Sequence, residues 1–454
     1  MKTLWNKGDH LDEQIARFTV GDDREIDLSF ARQEVIASLA HVLTLLKAEL
    51  VTTEDAHSLT SVLVDLYQQA QQNQLVIQQQ DEDIHSTLER ILIERLGSIG
   101  KRVHTARSRN DQIATDIALW IRDQALHLQE MVVDIVAILH QFASKYKDQI
   151  LLGMTHLQPA MPSSVGAWAA GYASLFLEDV LQFQHAYQCA NACPLGSAAG
   201  YGVPQDLAPI DREFTAQVLG FERALQPVTA VQGGRGKLEA SFLFACAQFA
   251  TTSARLARDL VLYVTPQFNF VQLPIAFTTG SSIMPQKRNP DVMELIRGIS
   301  PVVQSSLMEV LSLSASVPSG YHRDFQRLKS PLLRGFDLTQ QTMMMLKHFL
   351  PQLTFNTEAV EQACTKEIDA TRRALQLVVQ GMPFRDAYQQ VAQEVFTDQL
   401  PEIEGPRVPQ IDQALSQINT RHAQAKQWGM TQQAHQTHCL QELFKHIDSL
   451  NVGS

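Results

Sequence analysis

The sequence predicts an all-α protein, because proline is missing from long stretches and apolar residues recur at helical spacing. The first proline is Pro159, and proline is also absent from residues 163–193 and 228–265. Proline damages helix interiors more than any other residue, so these stretches can form long helices. The alternation of apolar and polar residues that indicates strands is hard to find.

Three stretches carry the helical pattern. In residues 110–139 apolar residues fall at helical spacing, which predicts one amphipathic helix or a pair of helices in register. Those residues are Ile113, Ile117, Trp120, Ile121, Met131, Ile135 and Leu139. Residues 237–264 and 290–313 are apolar on more than one face, which is typical of helices packed in a bundle, and such a bundle can be shared between subunits.

Glycine and proline mark the connections. They concentrate at residues 153–166, 194–211, 274–290 and 318–335, which we predict to be loops between helices.

A change of pattern divides the chain. From about Phe355 shorter helical patterns are interrupted by glycine and proline, which predicts a smaller last domain. We therefore expect an N-terminal helical domain at residues 1–107, a central helical bundle at 108–354 and a C-terminal helical domain at 355–454.

Composition excludes several classes of protein. Lys plus Arg is 37 against Asp plus Glu 48, a net charge of -11, which disfavours a nucleic-acid-binding surface but permits local basic pockets. The five cysteines are scattered and odd in number, so we expect a reducing cytoplasm and no disulfide framework. The first residues are charged and no run of about 18 apolar residues occurs, so we expect no signal peptide and no membrane span.

Residues 280–291, GSSIMPQKRNPD, form the most unusual segment. Small residues begin it, and Asn289 followed by Pro290 predicts a helix N-cap and first turn. The free N–H groups of a helix start, together with Lys287, favour an anionic group such as a carboxylate or a serine alkoxide. The alternative is an ordinary flexible loop before a capped helix.

Two charged segments precede helical patterns. Residues 104–111, HTARSRND, include Arg107 and Arg109, whose guanidinium groups suit bidentate binding of a carboxylate. Taken alone, this segment is better explained as a solvated charge cluster at a helix start. Residues 81–85, DEDIH, are explained equally well as an acidic helix start.

Two further segments place polar residues on constrained backbone. His156 lies between glycine and proline in GMTHLQP, residues 153–159, where it can be aimed at a substrate or can act as a cap. In YHRDFQRLK, residues 321–329, a helix would put four residues on one face, so that packing alone could explain half of the pattern. These residues are Tyr321, Phe325, Leu328 and Lys329.

Three residues have the spacing of possible metal ligands. His185, Cys189 and Cys193 are spaced to share one stripe of a helix. Because no fourth ligand accompanies them, burial in a helix interface is the favoured interpretation and no metal is expected.

The segments together resemble one known family. The chain resembles the argininosuccinate lyases of the fumarase and aspartase superfamily, with the order and spacing of the motifs preserved over most of its length. The matching strings are DEDIH at 81–85, HTARSRNDQIATD at 104–116, THLQPAMP at 155–162, PLGSAAGYGVPQD at 194–206, PIDREF at 209–214, GSSIMPQKRNPD at 280–291 and YHRDFQRLK at 321–329. Gln286 separates this branch from adenylosuccinate lyase, which has histidine there.

The resemblance implies an architecture and an activity. It implies three mostly helical domains, a homotetramer whose central helices form a common core, and active sites built from three chains. It also implies elimination of fumarate from argininosuccinate to give arginine. Because this elimination has no redox step, no metal, nucleotide or organic cofactor is expected.

The resemblance assigns the catalytic roles. Ser281 matches the general base that removes a proton from the carbon beside a substrate carboxylate, and Lys287 and Asn289 match the holders of the resulting intermediate. His156 matches the general acid, and Glu294 the carboxylate that orients its imidazole.

The resemblance also assigns substrate contacts. The matching positions are Asn110, Thr155, Ser282, Tyr321, Gln326 and Lys329. His85, Arg107 and Arg109 are expected to supply supporting polar and cationic groups.

Two stretches depart from the family pattern. Residues 226–241, QPVTAVQGGRGKLEAS, replace an acidic, polar string with a glycine-rich, basic one, and Gly21 stands where a substrate-contacting serine is usual. The resemblance places both changes at the arginine end of the substrate pocket and not among the residues that carry out the elimination. The sequence therefore defines the type of reaction better than the identity of the substrate. The alternatives are a lyase for another N-succinyl compound such as adenylosuccinate, and an inactive structural relative like the lens crystallins.

Overall fold

Helices make up most of the computed structural model, which describes residues 12–402 and 410–451. The described residues also contain six short strands, paired as three two-stranded sheets. The prediction of an all-α protein is confirmed.

The N-terminal part contains five helices, and the last three of them enclose an apolar core rich in leucine and valine. The elements are α1 Glu13–Val20, α2 Asp23–Ile26, α3 Ala31–Lys47, α4 Thr53–Gln71 and α5 Ile84–Leu96, with 3-10 turns at Asp27–Phe30 and Gly100–His104. Leu39, Leu59 and Leu63 are fully buried between α3 and α4. A capping box starts α5, since Asp83 accepts from the Ser86 N–H and Ser86 from the Asp83 N–H.

The central part begins with one long helix. Its first elements are α6 Arg109–Lys145, β1 Ile150–Thr155, β2 Gln158–Ser164 and α7 Val165–Cys189. Next come β3 Ala192–Cys193, α8 Arg212–Val218, β4 Arg223–Ala224, α9 Thr229–Gly233, α10 Lys237–Tyr263, β5 Val271–Gln272, α11 Asp291–Ala315 and α12 Lys329–Phe349, with 3-10 turns at Ile275–Phe277 and Arg323–Leu328. Residues 110–139 therefore belong to a single helix, and the helices predicted at 237–264 and 290–313 are confirmed as α10 and α11.

The long helices pack side by side. α6 packs on α7, α7 on α10, α10 on α11 and α11 on α12. At the centre the indole of Trp120 makes edge contacts with the rings of Phe30, Phe242 and Phe336, at centroid distances of 5.7, 5.7 and 5.1 Å. Such aromatic contacts add specific geometry to apolar burial, and they tie the N-terminal part to the bundle.

Two local predictions were wrong, and a third, the loop at 318–335, was too long because α12 begins at Lys329. The loop predicted at 153–166 is largely an antiparallel hairpin, β1 and β2, with a bulge between Gly153 and Met154. Asn289 does not cap the next helix: α11 begins at Asp291 after Pro290, without a side-chain cap. Asn289 pairs instead with Thr279 in an isolated antiparallel bridge. Its backbone N–H and carbonyl are bonded to Thr279, so its backbone is not part of the helix start.

The C-terminal part ends in a long helix that returns to the rest of the molecule. Its elements are β6 Thr354–Phe355, α13 Thr357–Ala363, α14 Ala370–Val379, α15 Phe384–Phe396 and α16 Ile411–Asn451, with 3-10 turns at Leu350–Gln352 and Lys366–Asp369. The prediction of only short helices here was wrong, because residues 411–451 lack proline and contain a single glycine, Gly429.

The course of α16 bears on how the chain is divided. α16 packs along α6 and α7, and Leu443 and Ile447 near its end join the N-terminal apolar core. The domain boundaries at 107 and 354 stay a prediction. Of the described helices, none is long and apolar enough to cross a membrane.

Candidate active site

Lys329 is held in a buried position by two acidic side chains of the N-terminal part. Its Nζ lies 2.6 Å from Asp27 Oδ1 and 3.2 Å from Asp23 Oδ1. Burial by itself lowers the pKa of Lys329, but Asp27 and Asp23 outweigh it and raise that pKa. Burial, opposed by Lys329, raises the pKa of Asp23 to about 6. Lys329 therefore remains a cation at neutral pH.

Gln326 joins the same two parts of the chain. Its Nε2 donates to the carbonyl oxygens of Thr19 at 3.1 Å and Val20 at 2.9 Å, and Arg323 Nη2 donates to Thr19 O at 2.7 Å. The next residue, Gly21, has a φ of +54°, and Gln326 Nε2 is the nearest atom to the position of a Cβ there, at 3.8 Å. Gly21, where the family usually has a serine, therefore lies beside Gln326, a predicted substrate-binding residue.

His85 is buried between two carboxylates. Its Nδ1 lies 3.0 Å from Glu34 Oε2 and its Nε2 3.8 Å from Asp116 Oδ2. Burial alone lowers the pKa of His85, but Glu34 and Asp83 raise it. Burial alone raises the pKa of Glu34, but His85 and Arg107 outweigh it and lower that pKa to about 2. Glu34 therefore favours the imidazolium form of the ring and orients it through Nδ1.

This buried cluster also bears on metal binding. Glu34, His85 and Asp116 each bring one ligand atom to within 4.8 Å of the others. Arg107 Nη1 lies 3.8 Å from Glu34 Oε1 and donates to Ser38 Oγ at 2.8 Å, so its guanidinium faces Glu34 in the protein wall. Because Arg107 and His85 already supply positive charge here, the cluster fits an ion-pair network better than a cation site.

The start of α6 organises several segments around Arg109 and Asn110. Arg109 Nη1 lies 2.7 Å from Glu82 Oε2 and 3.2 Å from Asp83 Oδ2. The backbone carbonyl of Asn110 accepts from Gln232 Nε2 at 3.0 Å, which brings the divergent 226–241 segment against this helix start.

Asp111 connects this helix start to another motif. Its Oδ2 accepts from the N–H groups of Gly196 and Ala198 at 3.0 and 2.7 Å, which ties the PLGSAAG segment to α6. Burial raises the pKa of Asp111 to about 6 although these N–H groups oppose the shift.

One cavity brings many of these side chains together. Five predicted residues line it: His85, Arg109, Tyr321, Gln326 and Lys329. Asp23, Asp27 and Arg235, which sequence reasoning missed, line it as well. The four-residue spacing of Asp23 and Asp27 could have suggested two acids on one helical face, but nothing local indicated their partner, and Arg235 was noticed only as part of a divergent string.

The segment at 280–291 is a partly exposed loop. Ser281 Oγ accepts from the N–H groups of Ile283 at 3.3 Å and Met284 at 3.1 Å, and Asn289 Nδ2 donates to the Gly280 carbonyl at 3.3 Å. Ser282 and Lys287 are exposed. Two N–H groups directed at one hydroxyl oxygen form the kind of arrangement that stabilises a negatively charged oxygen.

His156 and Thr155 lie at the exposed tip of the hairpin. His156 has a φ of +54°, so the turn holds its side chain outward on a constrained backbone. Glu294, in the first turn of α11, lies 3.6 Å from Arg297. Within residues 12–402 and 410–451 of the single chain, no hydrogen bond or ion pair links His156 to Glu294 or to the 280–291 loop.

His185, Cys189 and Cys193 do not lie on one stripe of a helix. His185 and Cys189 lie on α7, with Cys189 Sγ 3.4 Å from His185 Nε2, but α7 ends at Cys189 and Cys193 is buried in β3. The prediction of a common helix stripe was wrong because α7 ends before Cys193.

Comparisons with known proteins bear on both the family and the fold. A family model described as Lyase matches residues 8–305. An argininosuccinate lyase of Parabacteroides distasonis is 39% identical over 86% of this chain and 87% of its own length. One of Sorangium cellulosum is 42% identical over 86% of this chain and 90% of its own. The solved structure of an EDDS lyase has the same fold, with a TM-score of 0.80 and 19% identity over 97% of this chain and 96% of that one.

The matches to these relatives span most of the chain. From the family model and from relatives at this identity over this length, the chain belongs to the argininosuccinate lyase family.

Proposed function

We propose that this protein is an argininosuccinate lyase, an enzyme that eliminates fumarate from argininosuccinate and leaves arginine. The observation that carries the proposal is the cavity in which five residues of the predicted substrate set meet, in a chain whose relatives at 39–42% identity bear that name. Asn110 and Thr155 are further proposed substrate contacts. Arg107 supports the site from the protein wall, where it faces Glu34.

Ser281 starts the proposed reaction. It takes the proton from the carbon beside a succinyl carboxylate, and the electron pair left behind moves into that carboxylate. The N–H groups at 3.1 and 3.3 Å from Ser281 Oγ support this role because they favour the alkoxide form. Lys287 and Asn289, on the same loop with Ser282, hold the doubly charged intermediate.

His156 completes the elimination. As the electron pair returns to form the carbon–carbon double bond of fumarate, the carbon–nitrogen bond breaks and His156 gives a proton to the departing guanidino nitrogen. Glu294 orients the imidazole. Since His156 and Glu294 do not meet within one chain, we propose that they come from different subunits.

A homotetramer would supply those subunits. The fold leaves large apolar side chains exposed along the outer faces of the long helices, a feature that marks association surfaces. They are Leu175 on α7, Phe244 on α10, Leu295, Val302, Met308 and Leu311 on α11, and Met344 on α12. We propose that these faces form a common helical core of four chains.

Two coarser features belong to the same proposal. All five cysteines are unpaired, which supports residence in the reducing cytoplasm. We also keep the division into three domains at residues 107 and 354.

Fumarate release tests the function directly. Purified protein is incubated separately with argininosuccinate and with adenylosuccinate, and fumarate is followed by its ultraviolet absorbance. Fumarate from the first substrate supports the proposal. Fumarate from the second alone would identify a different N-succinyl lyase, and none from either, with a folded protein, would favour a crystallin-like structural role.

Variants test the residue roles. His156→Asn and Ser281→Ala should each lower kcat by at least about a hundredfold, as expected for loss of a general acid or base. His127→Asn removes an exposed histidine whose ring lies 2.8 Å from Gln340 Nε2, and it should leave kcat unchanged. Full activity in either of the first two variants would reject the assigned role.

A further inference from the structure

Glycine shapes the divergent segment 226–241 for a structural reason. Gly236 has a φ of +87° and precedes α10, and a Cβ there would overlap the hydroxyl of Ser314 on α11. Its N–H donates to Glu239 Oε2 at 2.8 Å. Only glycine suits a left-handed backbone that approaches Ser314 so closely. The turn at Gly236 therefore sets the direction of the Arg235 side chain.

Arg235 is the residue placed by this turn. Its side chain is buried, with 7% of the residue exposed, and its guanidinium carbon lies 5.4 Å from the centroid of the Phe325 ring. Its Nε is 3.4 Å from Glu239 Oε1. Its Nη1 is buried and has no hydrogen-bond partner among the described residues. An unpartnered buried donor is costly, so a ligand atom is the natural acceptor for it.

Arg235 differs in its hydrogen bonding from Lys329 and Arg109, two other cations that line the same cavity. Lys329 is compensated by Asp23 and Asp27, and Arg109 is compensated by Glu82 and Asp83. Arg235 lines the cavity with them and has Glu239 beside its Nε, but its buried Nη1 has no acceptor among the described residues. A guanidinium with a free N–H in a cavity of this kind suits a carboxylate, which it can bind by a charge-assisted hydrogen bond.

We infer that Arg235 is a substrate-binding residue that takes the carboxylate of the arginine portion of the substrate. The inference rests on the proposed function and extends it, because it assigns the departure at 226–241 a part in substrate recognition. The carboxylate accepts from Arg235 Nη1, while Phe325 limits the movement of the guanidinium. Arg235 takes no part in proton transfer, so it contributes to binding in the ground state and the transition state alike.

Steady-state kinetics of fumarate release test this inference. Arg235→Gln should raise KM for argininosuccinate at least about tenfold and change kcat less than about threefold, since uniform binding is lost. Arg235→Lys keeps the charge without the planar fork and should recover part of the affinity. Lys237→Gln removes an exposed charge two residues away and should leave both constants unchanged.

Ligand binding separates recognition from a structural role. Binding of arginine and of agmatine, which lacks the carboxylate, is measured by calorimetry for the wild type and for both Arg235 variants. The wild type should prefer arginine at least about tenfold, and Arg235→Gln should bind the two equally, whereas a change in folding alone would weaken both alike. If Arg235→Gln fails to fold, Arg235→Lys and the wild-type preference carry the test.

The outcomes distinguish this inference from the proposed function. A wild type that releases no fumarate from argininosuccinate rejects the function. A wild type that is active, with Arg235→Gln showing an unchanged KM or an unchanged preference for arginine over agmatine, rejects the role of Arg235 alone. A wild type that binds arginine and agmatine equally also rejects that role.

Discussion

Lys329 Nζ lies 2.6 Å from Asp27 Oδ1, although the two residues are separated by 302 positions in the sequence. Both side chains are buried, and the pair forms part of the wall of the proposed substrate cavity. Breaking such a pair leaves an uncompensated charge in the interior, which costs far more than breaking a surface pair.

Lys329→Met should therefore lower the free energy of unfolding by about 3–5 kcal/mol, because Asp27 and Asp23 lose their common cation. The matched change is Lys347→Met, which breaks an exposed pair with Asp134 at 2.6 Å and should cost no more than about 1 kcal/mol. Urea unfolding at one fixed protein concentration measures both. Equal losses in the two variants would contradict the buried pair's structural role.

Asp179 on α7 should make the protein more stable in mild acid than in base. Burial raises the pKa of Asp179 to about 7, and its Oδ2 has no hydrogen-bond partner among the described residues. The folded state therefore holds a proton that the unfolded state has lost above about pH 4, so stability falls as the pH rises from there through about 7.

Asp179→Asn removes this ionisation and should raise the free energy of unfolding by a few kcal/mol at pH 8, about 1.4 kcal/mol for each unit of pKa shift. At pH 5 the gain should be much smaller. Asp134→Asn, at an exposed carboxylate, should show no such dependence on pH. Unfolding midpoints at the two pH values decide the matter, and a gain at pH 5 equal to that at pH 8 would count against the buried proton.

Gly236 should tolerate no side chain. Gly236→Ala forces an L residue into a left-handed conformation and a methyl group into the Ser314 hydroxyl, which together should cost about 2–4 kcal/mol. Gly233→Ala lies in the same segment, where a Cβ meets nothing within 4 Å, and should change stability by less than about 1 kcal/mol. Thermal unfolding of both variants compares them directly, and equal stability would argue against the close approach of α10 and α11.

Mixed assemblies should test the shared active site. If a site takes His156 from one chain and Ser281 from another, renaturing equal amounts of His156→Asn and Ser281→Ala chains together gives about a quarter of the sites both intact residues. Fumarate release should then recover to that level, whereas each variant renatured alone stays inactive. Mixtures that remain inactive would mean that both residues of a site belong to the same chain.

Local patterns were sufficient where the cause of structure is local. Trp120, Ile121 and Ile135 fall on one face of α6, and proline-free stretches became α7 and α10, because helices depend on contacts between residues three and four positions apart. The glycines and prolines of the hairpin region marked a connection but not its strands, since the pairing of β1 with β2 depends on hydrogen bonds across the turn rather than on residue alternation.

By itself, the sequence determined the helical class, the long helices of the central bundle and the family, because periodicity and motif strings are properties of consecutive residues. Only the tertiary structure decided that Lys329 lies between Asp23 and Asp27, and that His85 faces Glu34. It also decided that Arg235 reaches the cavity of Lys329 with an Nη1 that has no acceptor in the described part of the chain. Each of these contacts joins residues far apart in the chain. Their energies come from burial and charge compensation, which exist only after the helices have packed.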